Sequence, residues 1–418
     1  MTMRICVLAF ALLASAAAQE VRPKDVREAG KAGSTAIPQL TEYLKNPSVD
    51  VRVEAVKQLT EARALDALVL ATRDNESEVQ IHATDGLVNF YMPGYVHTGL
   101  GGSLKRFGGS VKSKFTDTDD QVIEPYITVR PDVITAIGAL ARGGAGMPAR
   151  ANAARALGIL RGKAALGDLL DAIKTRDTDV IYESLVAMQK IRDESAGPRI
   201  AFLLRDLNQK VQIAAIETTG LLRNREAAGD LIDVIGRSKD AKVRHAAIGA
   251  LAMVPDAQSS EIFRQYLSGP DEKMRAGAAE GFARLRNPAD SALFQQAWKD
   301  EGKTGTRLSL AFAMAMLGRI EPGEFSPLQF LVNNLNSSAY RGVAQPFLIE
   351  LARDAATRGA LYPLLATATK DEKVGLARVL STSGGKESLP YLEKLSRDTD
   401  TDVAQEGLRA MRNLQARL

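Results

Sequence analysis

Val243-Arg244-His245-Ala246-Ala247-Ile248-Gly249-Ala250-Leu251 states most fully a phrase that recurs along this chain. A polar turn holding Asp or Asn leads into Val-Arg or a variant. Small and apolar residues follow and end in Leu. Val51-Arg52 with Ala55 repeats it, as do Val79 with Ala83 and Leu87, and Ala149-Arg150 with Ala153 and Leu157. Further copies are Val180 with Leu185, Val211 with Ala215, and Met274-Arg275 with Ala278 and Ala279. Weaker ones begin at Thr306-Arg307 and Tyr340-Arg341, and Val374 with Ala377 and Val403 with Leu408 close the series. The step is 28 residues from Val51 to Val79, 31 from Val180 to Val211, 32 to Val243 and 31 to Met274. It is 34 from Tyr340 to Val374 and 29 to Val403.

Inside each unit the apolar residues recur three and four apart, the spacing of one helix face, with no period-two alternation. Ala227, Leu231, Ile232 and Ile235 form one such stripe; Val243, Ala246, Ala247, Ala250 and Leu251 form the next. Gly236 to Ala241 between them reads as a helix stop and restart. Each unit is therefore two antiparallel helices and a short turn. The turns repeat one chemistry: Arg73-Asp74-Asn75, Arg176-Asp177, Arg205-Asp206, Lys239-Asp240, Lys370-Asp371 and Arg397-Asp398. The cation meets the negative end of the first helix, and the acid can cap the second. The expected fold is all-α, an α-solenoid of about eleven antiparallel helix pairs with one loop-rich insertion.

On this Asp-x-x-Val-Arg-x-x-Ala-x-x-x-Leu phrasing, from about Ala36 to Leu414, the chain resembles the HEAT-repeat superfamily. The resemblance is to the short bacterial repeats of the phycobilisome-lyase type. It implies a right-handed superhelix whose second helices line the concave side. It also implies that the arginine after the anchor, here Arg52, Arg150, Arg244, Arg275, Arg307 and Arg341, pairs with turn acids in a ladder between neighbours. A ligand-binding stripe is the other reading of those six.

The chain has 418 residues, 45% of them hydrophobic and only 5% aromatic, which suits closely packed helices. Arg4, the apolar run Ile5 to Ala14 and Ala16-Ala17-Ala18 read as a secretory signal over residues 1–18, cleaved near Ala18. The expectation is a periplasmic or secreted protein. Cys6 is the one cysteine, so the cleaved chain would have no disulfide, no thiolate nucleophile and no Cys-bound zinc. Loss of Arg4 takes the formal charge from +4 to +3, too small to argue for nucleic acid.

Residues 19–92 read as an N-terminal cap with the first repeats, and 132–418 as the main array with its C-terminal cap. Between them, 93–131 breaks the period. It holds Gly94, Gly99, Gly101, Gly102, Gly108 and Gly109, the aromatics Tyr91 (at its border), Tyr95, Phe107, Phe115 and Tyr126, and a basic cluster. Lys105, Arg106, Phe107, Lys112, Lys114 and Phe115 are the candidate binding residues, for a protein partner or a membrane surface. A plain loop or core-covering hairpin is the other reading. Gly101-Gly102-Ser103-Leu104-Lys105 lacks the ending of a phosphate-cradling loop.

No catalytic constellation or metal-ligand set is legible, and no cofactor is expected. His82, His97 and His245 are followed by Ala83, Thr98 and Ala246, not by the Glu of iron-binding HEAT-like hydroxylases. Asp398, Asp400 and Asp402 open like a calcium loop, but Val403 stands at position six and Arg409 at position twelve. Trp298 reads as a core residue. The function expected is a non-enzymatic protein-interaction scaffold of the cell envelope, using the concave face, the insertion or both. An accessory subunit of a lyase-like enzyme is the alternative, and a nucleic-acid-binding HEAT-like protein a more distant one.

Overall fold

The computed structural model describes residues 21–96 and 121–418. Among these residues the chain forms twenty-three α-helices, several preceded by a single 3-10 turn. The odd-numbered helices are α1 (Pro23–Gly30), α3 (Val49–Glu61), α5 (Ser77–Tyr91), α7 (Met147–Ile159), α9 (Thr178–Ile191) and α11 (Gln209–Leu221). They continue with α13 (Ala241–Met253), α15 (Glu272–Leu285), α17 (Thr304–Met316), α19 (Arg341–Leu351), α21 (Lys370–Ser383) and α23 (Thr401–Arg417). The even-numbered ones are α2 (Ile37–Tyr43), α4 (Leu65–Ala71), α6 (Pro131–Gly143), α8 (Leu166–Ala172), α10 (Gly197–Ile200) and α12 (Ala228–Arg237). They end with α14 (Ser259–Leu267), α16 (Ser291–Asp300), α18 (Pro327–Asn333), α20 (Ala355–Leu361) and α22 (Leu389–Leu395).

Two layers result. Every odd-numbered helix packs on the next odd-numbered one, from α1 through to α23. Each even-numbered helix packs on the odd-numbered helix that follows it, α20 doing so through the 3-10 turn Pro363–Ala366. Eleven helix pairs follow the cap helix α1, and the chain is an all-α solenoid. One continuous core runs between the layers from Val26 to Leu414. The phrase read in the sequence opens the odd helices: Val51, Val79, Val180, Val211, Val243, Met274 and Val403 are all buried. Tyr340 and Val374 are only half-buried, a correction to two anchors. In α19 and α21 the core positions are taken instead by Ala344, Phe347 and Leu348, and by Leu376, Ala377 and Leu380.

The caps explain where the helices start. Asp177, Asn208, Asp240, Asp271 and Asp400 each accept two backbone N–H bonds at the start of α9, α11, α13, α15 and α23. Each satisfies donors that a helix start leaves free, an effect of about 1 kcal/mol apiece.

The layers are unequally spaced. Gly158 of α7 lies so close to α9 that a Cβ there would stand 2.8 Å from the Ala187 Cα. At Gly220 of α11 the same atom would stand 2.7 Å from the Ala250 Cα of α13. Small residues thus draw these odd helices together, while consecutive even helices, α6 with α8 apart, touch less. A stack compressed in one layer curves toward it, so the odd helices form the inner face.

Candidate functional site

The arginine ladder forms at three of its six expected rungs. Arg52 donates to both Asp74 oxygens, at 2.7 and 3.0 Å, and to the Asn46 and Pro47 carbonyls. Arg275 repeats this with Glu301, at 2.8 and 3.2 Å, and the Gly269 and Pro270 carbonyls. Arg341 reaches Asp371 at 3.0 Å and the Leu335 carbonyl at 2.6 Å. Each guanidinium therefore closes the turn before its own helix and ties it to the next unit. Burial pushes the Glu301 carboxyl up, but its bonds from Arg275 and Lys303 outweigh that and hold it below the usual range.

The other three rungs need correction. Arg150 donates to the Ala141 carbonyl at 3.2 Å and contacts the Met147 sulfur, while Asp177 in the facing turn caps α9. Arg244 lies 5.9 Å from the Tyr266 ring centroid, since Asp271 caps α15 and holds His245 Nε2 at 2.8 Å. Arg307 lies over Trp298 and Phe330, at 4.5 and 5.3 Å, where the facing turn, Leu335 to Ser338, carries no acid. Sequence reading missed a fourth clamp. Arg358, on the outer helix α20, pairs with Glu387 and donates to the Ala352 and Arg353 carbonyls.

Trp298 is half-buried and packs edge-on against Phe330. Of the Asp398 to Asp402 segment, Asp400 caps α23, Asp398 binds Lys373 at 2.8 Å, and Asp402 binds Lys370. Its carboxylates are thus spent on capping and pairing. Lys105, Arg106, Phe107, Lys112, Lys114 and Phe115, with His97, lie outside the described residues, as do residues 1–18. The flanks of the insertion are anchored on the core. Tyr95, Val96 and Ile123 are buried, and the Ile123 N–H donates to the Ile159 carbonyl at 3.0 Å. The stack runs on past it: Gln80 of α5 accepts from the Ala145 N–H at 2.8 Å, and Asn152 of α7 donates to Asp85 at 2.9 Å.

The inner layer carries a second set of polar ties. Arg155 of α7 binds Glu183 of α9, and Arg378 of α21 binds Glu406 of α23. Arg284 of α15 reaches over α17 to Glu350 of α19 at 2.8 Å, and also donates to the Ala252 carbonyl. Ser309 of α17 donates to Glu280 at 3.1 Å. Burial pushes the Glu280 carboxyl up, against the pull of Arg284. One contact joins distant units. Glu124, beside the insertion, accepts from Arg409 and from Asn413 of α23, the latter at 2.7 Å. Arg353, which follows α19, is pushed below the ordinary guanidinium value first by burial and then by the charges of Arg223, Arg192 and Arg284. Glu124 thus ties the segment between α5 and α6 to the last helix.

The ends of those odd helices share a backbone peculiarity. Arg63, Arg161, Arg192, Arg223 and Arg286 stand just past α3, α7, α9, α11 and α15, with φ of 55°, 49°, 58°, 53° and 53°. Gly318 takes this place after α17, at φ 96°. A left-handed residue with a side chain costs about 1 kcal/mol or more. A cation near the negative end of a helix returns roughly 0.3–1 kcal/mol.

A family model for HEAT repeats matches residues 197–279 and 231–315. No curated protein matches the sequence. The solved complex of CpcE and CpcF of phycocyanin lyase from Nostoc is similar at 15% identity and a TM-score of 0.38, over 64% of this chain and 92% of that one. Importin beta is similar at 13% identity and a TM-score of 0.40, over 91% of this chain and 56% of that one. An engineered protein of the Northeast Structural Genomics Consortium gives 17%, a TM-score of 0.32, and coverage of 94% and 98%. These overall scores transfer no residue role. The family match identifies HEAT repeats over residues 197–315, and the same anchor and helix-pair stacking run through the other units.

Proposed function

We propose that this chain is a non-enzymatic interaction scaffold of the bacterial cell envelope, holding a protein partner on the inner surface of its solenoid. One observation carries the reading. The odd-numbered helices pack in one unbroken row from α1 to α23, and Glu124 ties the segment after α5 to α23, so that successive repeats share one wall. Such a surface recognises by shape and charge over a large area. The polar groups of the repeats serve this wall: Arg52, Arg275 and Arg341 fix the turns, and Arg155 and Arg284 fix neighbouring inner helices. Export rests on the Arg4, Ile5 to Ala14 and Ala16-Ala17-Ala18 pattern.

The test is cross-linked capture from a cell-envelope fraction, using the full chain and a form lacking residues 97–120. A specific protein caught by both forms supports the inner face. A protein lost on deletion moves the site to the insertion and its Lys105, Arg106, Lys112 and Lys114. No specific protein with either form, or a chain found only in the cytosol, contradicts the proposal.

A further inference from the structure

The left-handed arginines recur at one place in the repeat: 161, 192 and 223, then 286, with Val254 at the intervening step. Each is exposed, and among the described residues Arg161, Arg192, Arg223 and Arg286 make no side-chain hydrogen bond or ion pair. Arg353 holds the same place after α19, and burial, with the charges of Arg223, Arg192 and Arg284, pushes its guanidinium below the ordinary value. In the free chain this arrangement is doubly unfavourable: the backbone there is suited to Gly, and like charges face one another. The pull of the helix end accounts for a cation at each site. It does not account for exposed guanidinium groups left unpaired at equivalent places in successive repeats, and strain retained at equivalent sites points to a binding role.

We propose that Arg161, Arg192, Arg223, Arg286 and Arg353 form the seat of an extended acidic segment of a partner protein. The spacing favours a peptide over a nucleic acid. Packed helices lie about 8–10 Å apart, so Arg161, Arg192 and Arg223 offer one guanidinium per interval of that size. An extended chain rises about 3.3 Å per residue, so carboxylates at every third residue match it. Each planar fork can take a carboxylate with two hydrogen bonds. Met253, exposed at the step without an arginine, offers an apolar contact midway along the row.

The proposal rests on the scaffold reading and is tested separately from it. The probe is a fluorescein-labelled peptide with Glu at every third position, titrated with the full chain and followed by anisotropy. Binding should weaken with salt, and Arg192→Gly with Arg223→Gly should weaken it about tenfold or more. Glycine suits the backbone there, so the double variant should melt no lower than the parent, which separates lost binding from lost folding. Arg192→Lys with Arg223→Lys should retain part of the affinity. Unchanged binding by the glycine variant overturns the proposal, as does tighter binding of a single-stranded oligonucleotide than of the peptide. Envelope capture then tells the two readings apart. A partner still held by the glycine variant rejects the arginine seat and leaves the scaffold standing; a partner lost with it supports both.

Discussion

Glu217 lies on α11 with no hydrogen-bond partner among the described residues, and burial alone pushes its carboxyl from 4.5 up to about 7. Between those values the folded chain keeps a proton that the unfolded chain has released, so stability falls as pH rises through that window. Below it the contribution is fully present. Glu217→Gln removes the loss. The variant should melt above the parent at about pH 8, by up to about 3 kcal/mol, and match it at about pH 4. Equal melting at both pH values would sink this assignment. The clamps give a second residue-scale expectation. Arg52 and Asp74 are each 9% exposed in their side chains, so Arg52→Ala strands a buried acid and two carbonyls. It should cost about 3 kcal/mol in urea unfolding, whereas Arg307→Ala, which loses an aromatic stack, should cost about 1 kcal/mol. Equal costs would mean that the ion pair adds nothing beyond packing. The candidate arginines were legible as a class from the Val-Arg phrase. Which of them pair was not, because capping competes for the same Asp side chains at Asp177 and Asp271. The left-handed arginines gave no sequence signal, since Gly is the usual marker of that backbone.

At the scale of elements, the inner layer depends on close approach between odd helices. A methyl at Gly220 would press on the Ala250 backbone, which cannot yield as a flexible side chain can. Gly220→Ala should therefore destabilise the chain by about 1–3 kcal/mol despite the better helix propensity of Ala. The midpoint of thermal unfolding checks it; an unchanged or raised midpoint would show that the spacing has slack. Gly249, where an added Cβ meets nothing within 4 Å, is the control and should gain stability as Ala. The helix pairs themselves were readable because the apolar spacing recurs in every strong unit and Asp or Asn caps agree with it at α9, α11, α13, α15 and α23. The reading slipped at Tyr340 and Val374, where α19 carries Pro346 and α21 starts from a Thr369–Glu372 capping box in place of the usual Asp. Arg358 was missed because it repeats the clamp on an outer helix, where the phrase had not been sought.

For the whole molecule, the period shows that units stack in line but says little about how far the stack turns. The contact of Glu124 with Arg409 and Asn413 joins residues 285 and 289 apart in sequence, and no local pattern announces it. It joins the flank of the insertion to the last helix, giving 121–130 a structural role besides any played by Lys105 to Phe115. The proposed function depends on that contact, because it holds the row of inner helices as one wall. The most direct test is small-angle X-ray scattering of the full chain beside Glu124→Ala. The account predicts that the full chain scatters as a closed solenoid and that the variant has a larger radius of gyration. A full chain that already scatters as an open, extended array, indistinguishable from the variant, would contradict it.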